Sequence, residues 1–387
     1  MSAGTKLAAA HPGELATAAV RALSPYVPGK PISELQRDYG ISDVVKLASN
    51  ENPYGPSPAA IAAMHAAIAD VWLYPDGSAH EFKQALARHL AMPVECLTVG
   101  NGSNELLLML AETFLNAQYS AVCSQYGFAI YPLVIRATGA ACLEAPAHAP
   151  DAPMPYGHDL AAMARAIRAD TRLVFIANPN NPTGTWVDHA ALKSFIESVP
   201  AHALVVLDEA YLEFAQLSGV PSGLPWLADH PNLIVLRTFS KGYGLAGLRV
   251  GYAVSHPEVA DAMNRYRPAF NVSNVAQSAA MAALTDQAHV QTAARRIVAE
   301  RARVEGALRA WSVPFAPSAG NFLMVDCGMS ATQIYEQLLR DGVIVRPIGG
   351  YGLPRHLRIS IGLPEQNDRL LKLLGRLLPA AQVSRSA

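Results

Sequence analysis

From about Leu97 onward, short apolar runs of strand length alternate with longer stretches whose apolar positions recur every three to four residues. LTVG is followed by SNELLLMLAETFL, and YSAVC by a helical stretch reaching Arg136. RLVFIAN, ALVVLDEAY and NLIVLRT continue the series, each run closing on polar residues. Continuous apolar strands separated by helices predict a mostly parallel central sheet covered by helices on both faces, an α/β domain. Reactive groups are then expected at the carboxyl ends of the strands. After Asn274 the pattern changes to long amphipathic helices, including ARRIVAERARVEGALRAW, and then to the strand-like NFLMVDC, GVIVR and HLRISIG with a helix between them. That predicts a second, smaller α+β domain.

Three parts follow from this pattern. Residues 1–43, rich in Pro and Gly around SPYVPGKP, lack a core of their own and are expected to pack on the small domain or across a partner subunit. Residues 44–273 form the large α/β domain and residues 274–387 the small one. The terminal AAQVSRSA reads as a frayed tail. Arg295, Arg296, Arg301 and Arg303, interleaved with Glu300 and Glu305 at helical spacing, read as a solvated helix face without a binding role.

Composition narrows the function. The 387 residues are 51% hydrophobic and 16% charged, enough for a core larger than one compact domain. A formal net charge of -1 offers no positive field for nucleic acid or an anionic membrane surface. No eighteen apolar residues run unbroken and MSAGTKLAAAHPGEL has no signal-peptide core, so a soluble, cytoplasmic protein is expected. Cys96, Cys123, Cys142 and Cys327 form no C-x-x-C pair, which predicts reduced, mostly buried thiols and no metal site.

Four strand ends carry the candidate chemistry. Thr238-Phe239-Ser240-Lys241-Gly242 follows NLIVLR and sets a lysine where a strand runs into a loop. An isolated S-K-G is ordinarily a surface cation, but Arg249 in LAGLRVGY adds a guanidinium that would meet the hydroxyl and amine around one small anion. Asp208 closes ALVVLDEAY, where a helix cap or a core-edge ion pair is the plain alternative. Asn178-Pro179-Asn180-Asn181-Pro182-Thr183-Gly184 is by composition a tight turn. Gly100-Asn101-Gly102-Ser103-Asn104-Glu105 joins a strand to a long helix whose first N–H groups suit a phosphate, although most such turns bind nothing.

In combination these segments are specific. With SPYVPGKPISEL, KLASNENPYGPSP, YPDG, GNGSNELL, NPNNPTG, DEAY, TFSKGYGLAGLRVGY and GVIVRPIGGYGLPRHLRISIG, the chain resembles the fold-type I pyridoxal-phosphate aminotransferases over nearly its full length. Within them it is most similar to the histidinol-phosphate aminotransferase family. The resemblance implies a fold-type I α/β architecture and pyridoxal 5'-phosphate as cofactor. It assigns Lys241 as the amine that takes the cofactor aldehyde and then moves the substrate proton, and Asp208 as the partner of the ring nitrogen. Asn181 and Tyr211 would bond the phenolic oxygen, and Tyr126 would stack on the ring. Gly102, Ser103, Asn104, Ser240 and Arg249 would hold the phosphate. Tyr74 would reach the phosphate of a neighbouring subunit, which implies a homodimer with shared sites. Arg346, Arg358 and Tyr26 would bind the anionic ends of both substrates, histidinol phosphate and glutamate or 2-oxoglutarate, in a ping-pong transamination without a metal. Asn52 in ENPYG matches only loosely and is left outside the catalytic set.

Four other readings compete, one of them a non-catalytic ligand-binding protein, which would have no reason to retain lysine, aspartate and tyrosine at these strand ends. Gly242-Tyr243-Gly244-Leu245-Ala246-Gly247 spells G-x-G-x-x-G after a strand, as in an NAD-dependent oxidoreductase, but LRVGYAV follows as a strand where a dinucleotide site needs a helix. An aromatic amino-acid aminotransferase and a threonine-phosphate decarboxylase share the cofactor and differ in pocket geometry, which the sequence does not expose.

Overall fold

The structure, a computed structural model, describes residues 11–26 and 28–379; the tail AAQVSRSA lies outside the described residues. Its strands are β1 (Val45–Lys46), β2 (Leu97–Gly100), β3 (Ser120–Ser124), β4 (Ala141–Ala145), β5 (Thr171–Ala177), β6 (Leu204–Asp208), β7 (Leu233–Thr238), β8 (Gly251–Ser255), β9 (Phe322–Asp326), β10 (Val343–Ile344), β11 (Arg346–Pro347) and β12 (His356–Ser360). The large sheet has the order β2-β8-β7-β6-β5-β3-β4, and only β8 runs antiparallel to its neighbours. Its central strands are apolar on both faces: Leu173, Val174, Phe175, Val205, Val206, Ile234 and Val235 are fully buried. Each such side chain contributes about 1.5–3 kcal/mol through burial, which holds the strand ends in fixed relative positions.

The expected elements appear, with instructive differences. β4 has no counterpart in the sequence reading, because ACLEA is short, partly exposed and without alternation; parallel pairing with β3 at the sheet edge makes it a strand. The run ALVVLDEAY stops being strand at Asp208. GVIVR splits: β10 pairs with β1, and β11 turns to pair Arg346 with Arg358 on β12. The segment just after residue 43 thereby joins the C-terminal elements. Leu35, on the helix Ile32–Tyr39, packs with Ala48, Leu339 and Ile344.

The change of pattern at Asn274 precedes the change of packing. Helix Asn274–Thr285 lays Ala276, Ala279, Ala280 and Ala283 into the same cluster as Phe82, Leu97, Phe239 and Val254, because a small-residue face allows close approach to the large sheet. Helix Gln287–Ala310 then packs with the second core around Phe322, Leu338 and Leu357. Arg301 departs from the solvated face expected of it. It is buried, donates from Nη1 to the Gly320 carbonyl (2.6 Å) and from Nη2 to Ser218 Oγ (2.9 Å), and faces Glu305 at 3.4 Å. Its helix covers the loop before β9, whose carbonyl needs a donor. Cys96, Cys123 and Cys327 are buried and Cys142 is half-buried, all as free thiols.

Candidate active site

A cavity of about 590 Å³ opens at the carboxyl ends of β5, β6 and β7. It collects Lys241, Asp208, Tyr211, Asn181, Ser103, Asn104, Ser240, Arg249, Tyr26, Arg346 and Arg358 on one wall system. The strand ends singled out in the sequence meet there because parallel order places them side by side.

Lys241 leaves β7 through a turn in which the Ser240 N–H donates to Thr238 Oγ1 (3.1 Å). Its Nζ donates to the Ser49 carbonyl (2.9 Å) and lies 5.9 Å from the centre of the Tyr211 ring. Burial, reinforced by the Arg358 guanidinium, lowers the amine to about 7. Its neutral, nucleophilic form is therefore abundant at physiological pH. Covalent capture of an aldehyde by the ligand-free protein should rise with pH through about 7 and then level off, as stopped-flow absorbance would record. A rise centred near 10 instead would mean an unperturbed amine.

Asp208 ends β6 with its carboxyl buried. Tyr131 donates to Oδ2 (2.9 Å) and the Ala210 N–H to Oδ1 (3.1 Å). Burial pushes the acid up to about 6, opposed by the Tyr131 hydrogen bond and by the charge of Lys241, so it is ionised at neutral pH. Tyr131 is in turn fully buried and stacked on Phe175 at 5.1 Å. In FAIYPLV it looks like an ordinary core position, and no local signal marks it.

The turn after β5 sorts its asparagines. Asn178 Oδ1 accepts from the Val187 N–H (2.9 Å), and Asn180 Nδ2 donates to the Tyr126 carbonyl (2.8 Å), so both brace the loop. Asn181 reaches the cavity, where its Oδ1 accepts from Arg358 Nη1 (2.5 Å). Arg358 also donates from Nη2 to the Ala48 carbonyl (2.6 Å), while its buried Nε has no partner. Asn50, absent from the sequence reading, donates from Nδ2 to the Tyr211 hydroxyl (2.9 Å). It is held at φ 56° by Ser360, whose Oγ donates to Asn50 Oδ1 and accepts from its N–H, and by Asn321, which donates to its carbonyl.

The anion end is built on Gly102. It precedes helix Ser103–Phe114 at φ 78°, and a Cβ there would lie 2.1 Å from Arg249 Nη2. The missing side chain lets the guanidinium sit against the first turn of the helix, with Arg249 Nη1 also donating to Ser240 Oγ (3.1 Å). Three permanent cations, Arg249, Arg346 and Arg358, with a helix start and a hydroxyl on one cavity beside an acid and an amine, suit a flat ring that carries a phosphate.

One expected residue stands differently. Tyr126 is turned off the cavity by the tight Ser124–Gly127 turn and packs edge-on against Tyr156 at 5.4 Å; on that side Phe128 lines the cavity. Tyr74 lies outside its own chain's cavity, 83% exposed and stacked on Phe270 at 4.7 Å. Asn52 does not line the cavity; it donates from Nδ2 to the Gly242 carbonyl (2.9 Å). Arg346 and Tyr26 meet at the mouth, the guanidinium 5.6 Å from the ring centre. Gly242–Gly247 opens no α-helix: a short 3-10 turn, Ala246–Leu248, leads into β8, so the dinucleotide reading fails on geometry.

Residues 42–374 match the family model for aminotransferase class I and II. The chain is 48% identical over 365 residues to histidinol-phosphate aminotransferase 1 of Nitrosococcus oceani, covering 94% of this chain and 97% of that one. It is 50% identical to histidinol-phosphate aminotransferase 2 of Pseudomonas aeruginosa, covering 96% and 98%. The crystal structure of histidinol-phosphate aminotransferase from Sinorhizobium meliloti in complex with pyridoxal-5'-phosphate superposes with a TM-score of 0.84 at 32% identity, covering 96% and 97%. With the sheet order, the strand-end site and these similarities on one chain, the protein belongs to the class I and II aminotransferases, a fold-type I family, and within it to the histidinol-phosphate aminotransferases.

Proposed function

We propose that this chain transfers the amino group of L-histidinol phosphate to 2-oxoglutarate, giving imidazole acetol phosphate and L-glutamate, a ping-pong step of histidine biosynthesis dependent on pyridoxal 5'-phosphate. The observation that carries this reading is the convergence of a desolvated amine, a buried acid and three arginines on one cavity. When bound, the cofactor supplies an aldehyde that takes up the amino group and a conjugated ring that delocalises carbanion charge.

The chain's own groups do the rest. Arg249, Ser240, Gly102, Ser103 and Asn104 hold the phosphate end. Asp208 keeps a proton on the ring nitrogen; raising that nitrogen by roughly 3 pKa units takes about 4 kcal/mol, within reach of a desolvated carboxylate at contact. Asn50 donates to the Tyr211 oxygen, which leaves the Tyr211 proton free to be given to the ring's phenolic oxygen. Asn181 has its Oδ1 occupied by Arg358, so its NH₂ group serves the same edge. Phe128, in place of Tyr126, supplies the apolar face. With the cofactor held there, the Lys241 amine would serve as the base that moves the substrate Cα proton.

Arg358, Arg346 and Tyr26 bind the phosphate ester in one half-reaction and a carboxylate of 2-oxoglutarate in the other, since a forked guanidinium suits both anions. Arg358→Ala should raise the KM for histidinol phosphate about 100-fold, consistent with loss of a charge-assisted bidentate contact, and an unchanged KM would remove the residue from the site. The assignment as a whole is tested by mixing the holoenzyme with histidinol phosphate and 2-oxoglutarate: glutamate must form, and faster than with phenylalanine, tyrosine or histidine as donor. Preference for an aromatic amino acid, or release of carbon dioxide from a phosphothreonine donor, would move the chain to a neighbouring activity.

The three-part division of the chain serves this reading, with Tyr26 from the N-terminal segment and Arg346 and Arg358 from the small domain closing over a site on the large one. Ile68, Val71, Trp72, Leu73, Tyr74 and Phe270 are exposed apolar side chains, with Trp72 77% accessible, which favours burial against a second copy. A homodimer in which Tyr74 reaches the partner's phosphate site accounts for that exposure. A biosynthetic step on small phosphorylated metabolites supports a cytoplasmic location. Among the described residues no helix is long and apolar enough to cross a membrane.

A further inference from the structure

Gly242, the residue that follows Lys241, is gripped on two sides by side chains that have no place in the chemistry described above. On one side Asn52, buried, donates from Nδ2 to the Gly242 carbonyl (2.9 Å), and its Oδ1 is itself fixed by the Tyr54 N–H (2.9 Å). On the other, the Glu213 side chain fills the space a Cβ on Gly242 would need. Such a Cβ would lie 2.6 Å from Glu213 Cγ and 2.7 Å from both Cδ and Oε2. Glu213 Oε2 is buried without a partner. An acid left so poorly solvated is a cost to the fold, which calls for a return elsewhere.

The next turn is equally confined. A Cβ on Gly244, at φ 70°, would lie 2.4 Å from the Gly55 carbonyl oxygen, so the loop 51–56 presses on residues 242–244 along its length. We infer that Asn52 and Glu213 are positioning residues that clamp Gly242, Asn52 by a hydrogen bond to its carbonyl and Glu213 by packing against its Cα, and so aim the Lys241 amine into the cavity. The reason is mechanical. A lysine side chain has four rotatable bonds, and its direction is only as well defined as the backbone it leaves from. Transfer between carbons demands a placement held to a fraction of an ångström. The hydrogen bond of Nζ to the Ser49 carbonyl ties the far end to the chain that also supplies Asn52, so both ends of the lysine are referred to residues 49–52.

This inference rests on Lys241 being the amine that captures the cofactor, and the test separates the two. Apoprotein is mixed with pyridoxal phosphate and covalent capture is followed by absorbance, while the affinity for pyridoxamine phosphate, which needs no lysine, is measured by fluorescence titration. Asn52→Ala and Glu213→Ala should each slow capture about tenfold, the scale of one lost aligning contact, with the pyridoxamine phosphate Kd changed less than twofold. Glu213→Gln, which keeps the side-chain volume packed against Gly242, should restore capture to within about threefold of the parent. Lys241→Ala should show no capture at all; if it captures like the parent, the lysine assignment fails. Should Lys241 prove essential but both alanine variants capture at the parental rate, or should capture and pyridoxamine phosphate affinity fall together, or should Gln fail to rescue, the clamp is wrong.

Discussion

Lys241→Ala is expected to remove at least about 10⁴-fold of the turnover with histidinol phosphate and 2-oxoglutarate, because one amine both holds the cofactor and carries the substrate proton. Proton transfer by a positioned group alone contributes about 10²–10⁴-fold, and the loss of covalent attachment adds to that. Glutamate formation measures it; a variant that keeps a hundredth of the parental rate would dismiss Lys241 as the base. The fold should survive, since Nζ makes one hydrogen bond, to the Ser49 carbonyl. Stability offers an independent reading of the same group. The native amine titrates at about 7, below its value in an unfolded chain, so between about pH 7 and pH 10 the unfolded state binds more protons and the ligand-free protein gains stability as pH rises. That contribution should disappear from the pH dependence of the apoprotein melting temperature in Lys241→Ala. An identical pH dependence in both proteins would show that the amine is not desolvated.

Asp208→Asn should lower turnover by about 10³-fold. The substitution keeps the shape of the side chain but removes the charge that holds a proton on the ring nitrogen, and the roughly 4 kcal/mol assigned to that pairing converts to about three powers of ten. Substrate affinity should change far less, because Asp208 lies at the end of β6 while Arg346 and Arg358 belong to β11 and β12. A cofactor analogue methylated on the ring nitrogen carries its charge without help and should recover part of the lost rate in the variant. No recovery, together with a loss under tenfold, would mean that Asp208 serves the fold rather than the ring. Tyr131, which donates to Asp208 Oδ2, fixes the direction of this acid from within the core.

The order of strands and helices in the large domain was legible because its central strands are apolar on both faces and its helices amphipathic, and each pattern follows from local periodicity. The reactive residues at strand ends were legible for a related reason: parallel strands must expose their last residues along one edge, so Lys241, Asp208 and Asn181 could be placed together before any contact was known. β4 was not legible, since an Ala-rich edge segment becomes a strand only through its neighbour. Nor was the burial of Arg301, whose helical spacing beside Glu305 is indistinguishable from that of a surface ion pair.

What the chain determined by itself is the sequence of elements, the kind of chemistry at their ends, and the family to which that combination belongs. The tertiary structure alone decided which groups hold those ends in place. Asn50 reaches Tyr211 across 161 positions, Arg358 reaches Asn181 across 177, and Ser360 fixes Asn50 across 310. It also decided that Phe128 rather than Tyr126 faces the cavity, through a single tight turn. Hydrogen bonds between such distant positions impose no periodicity on the residues around them, and the direction of a side chain leaving a turn depends on backbone angles that composition does not specify. Both become definite only when packing brings the separate elements to their final separation.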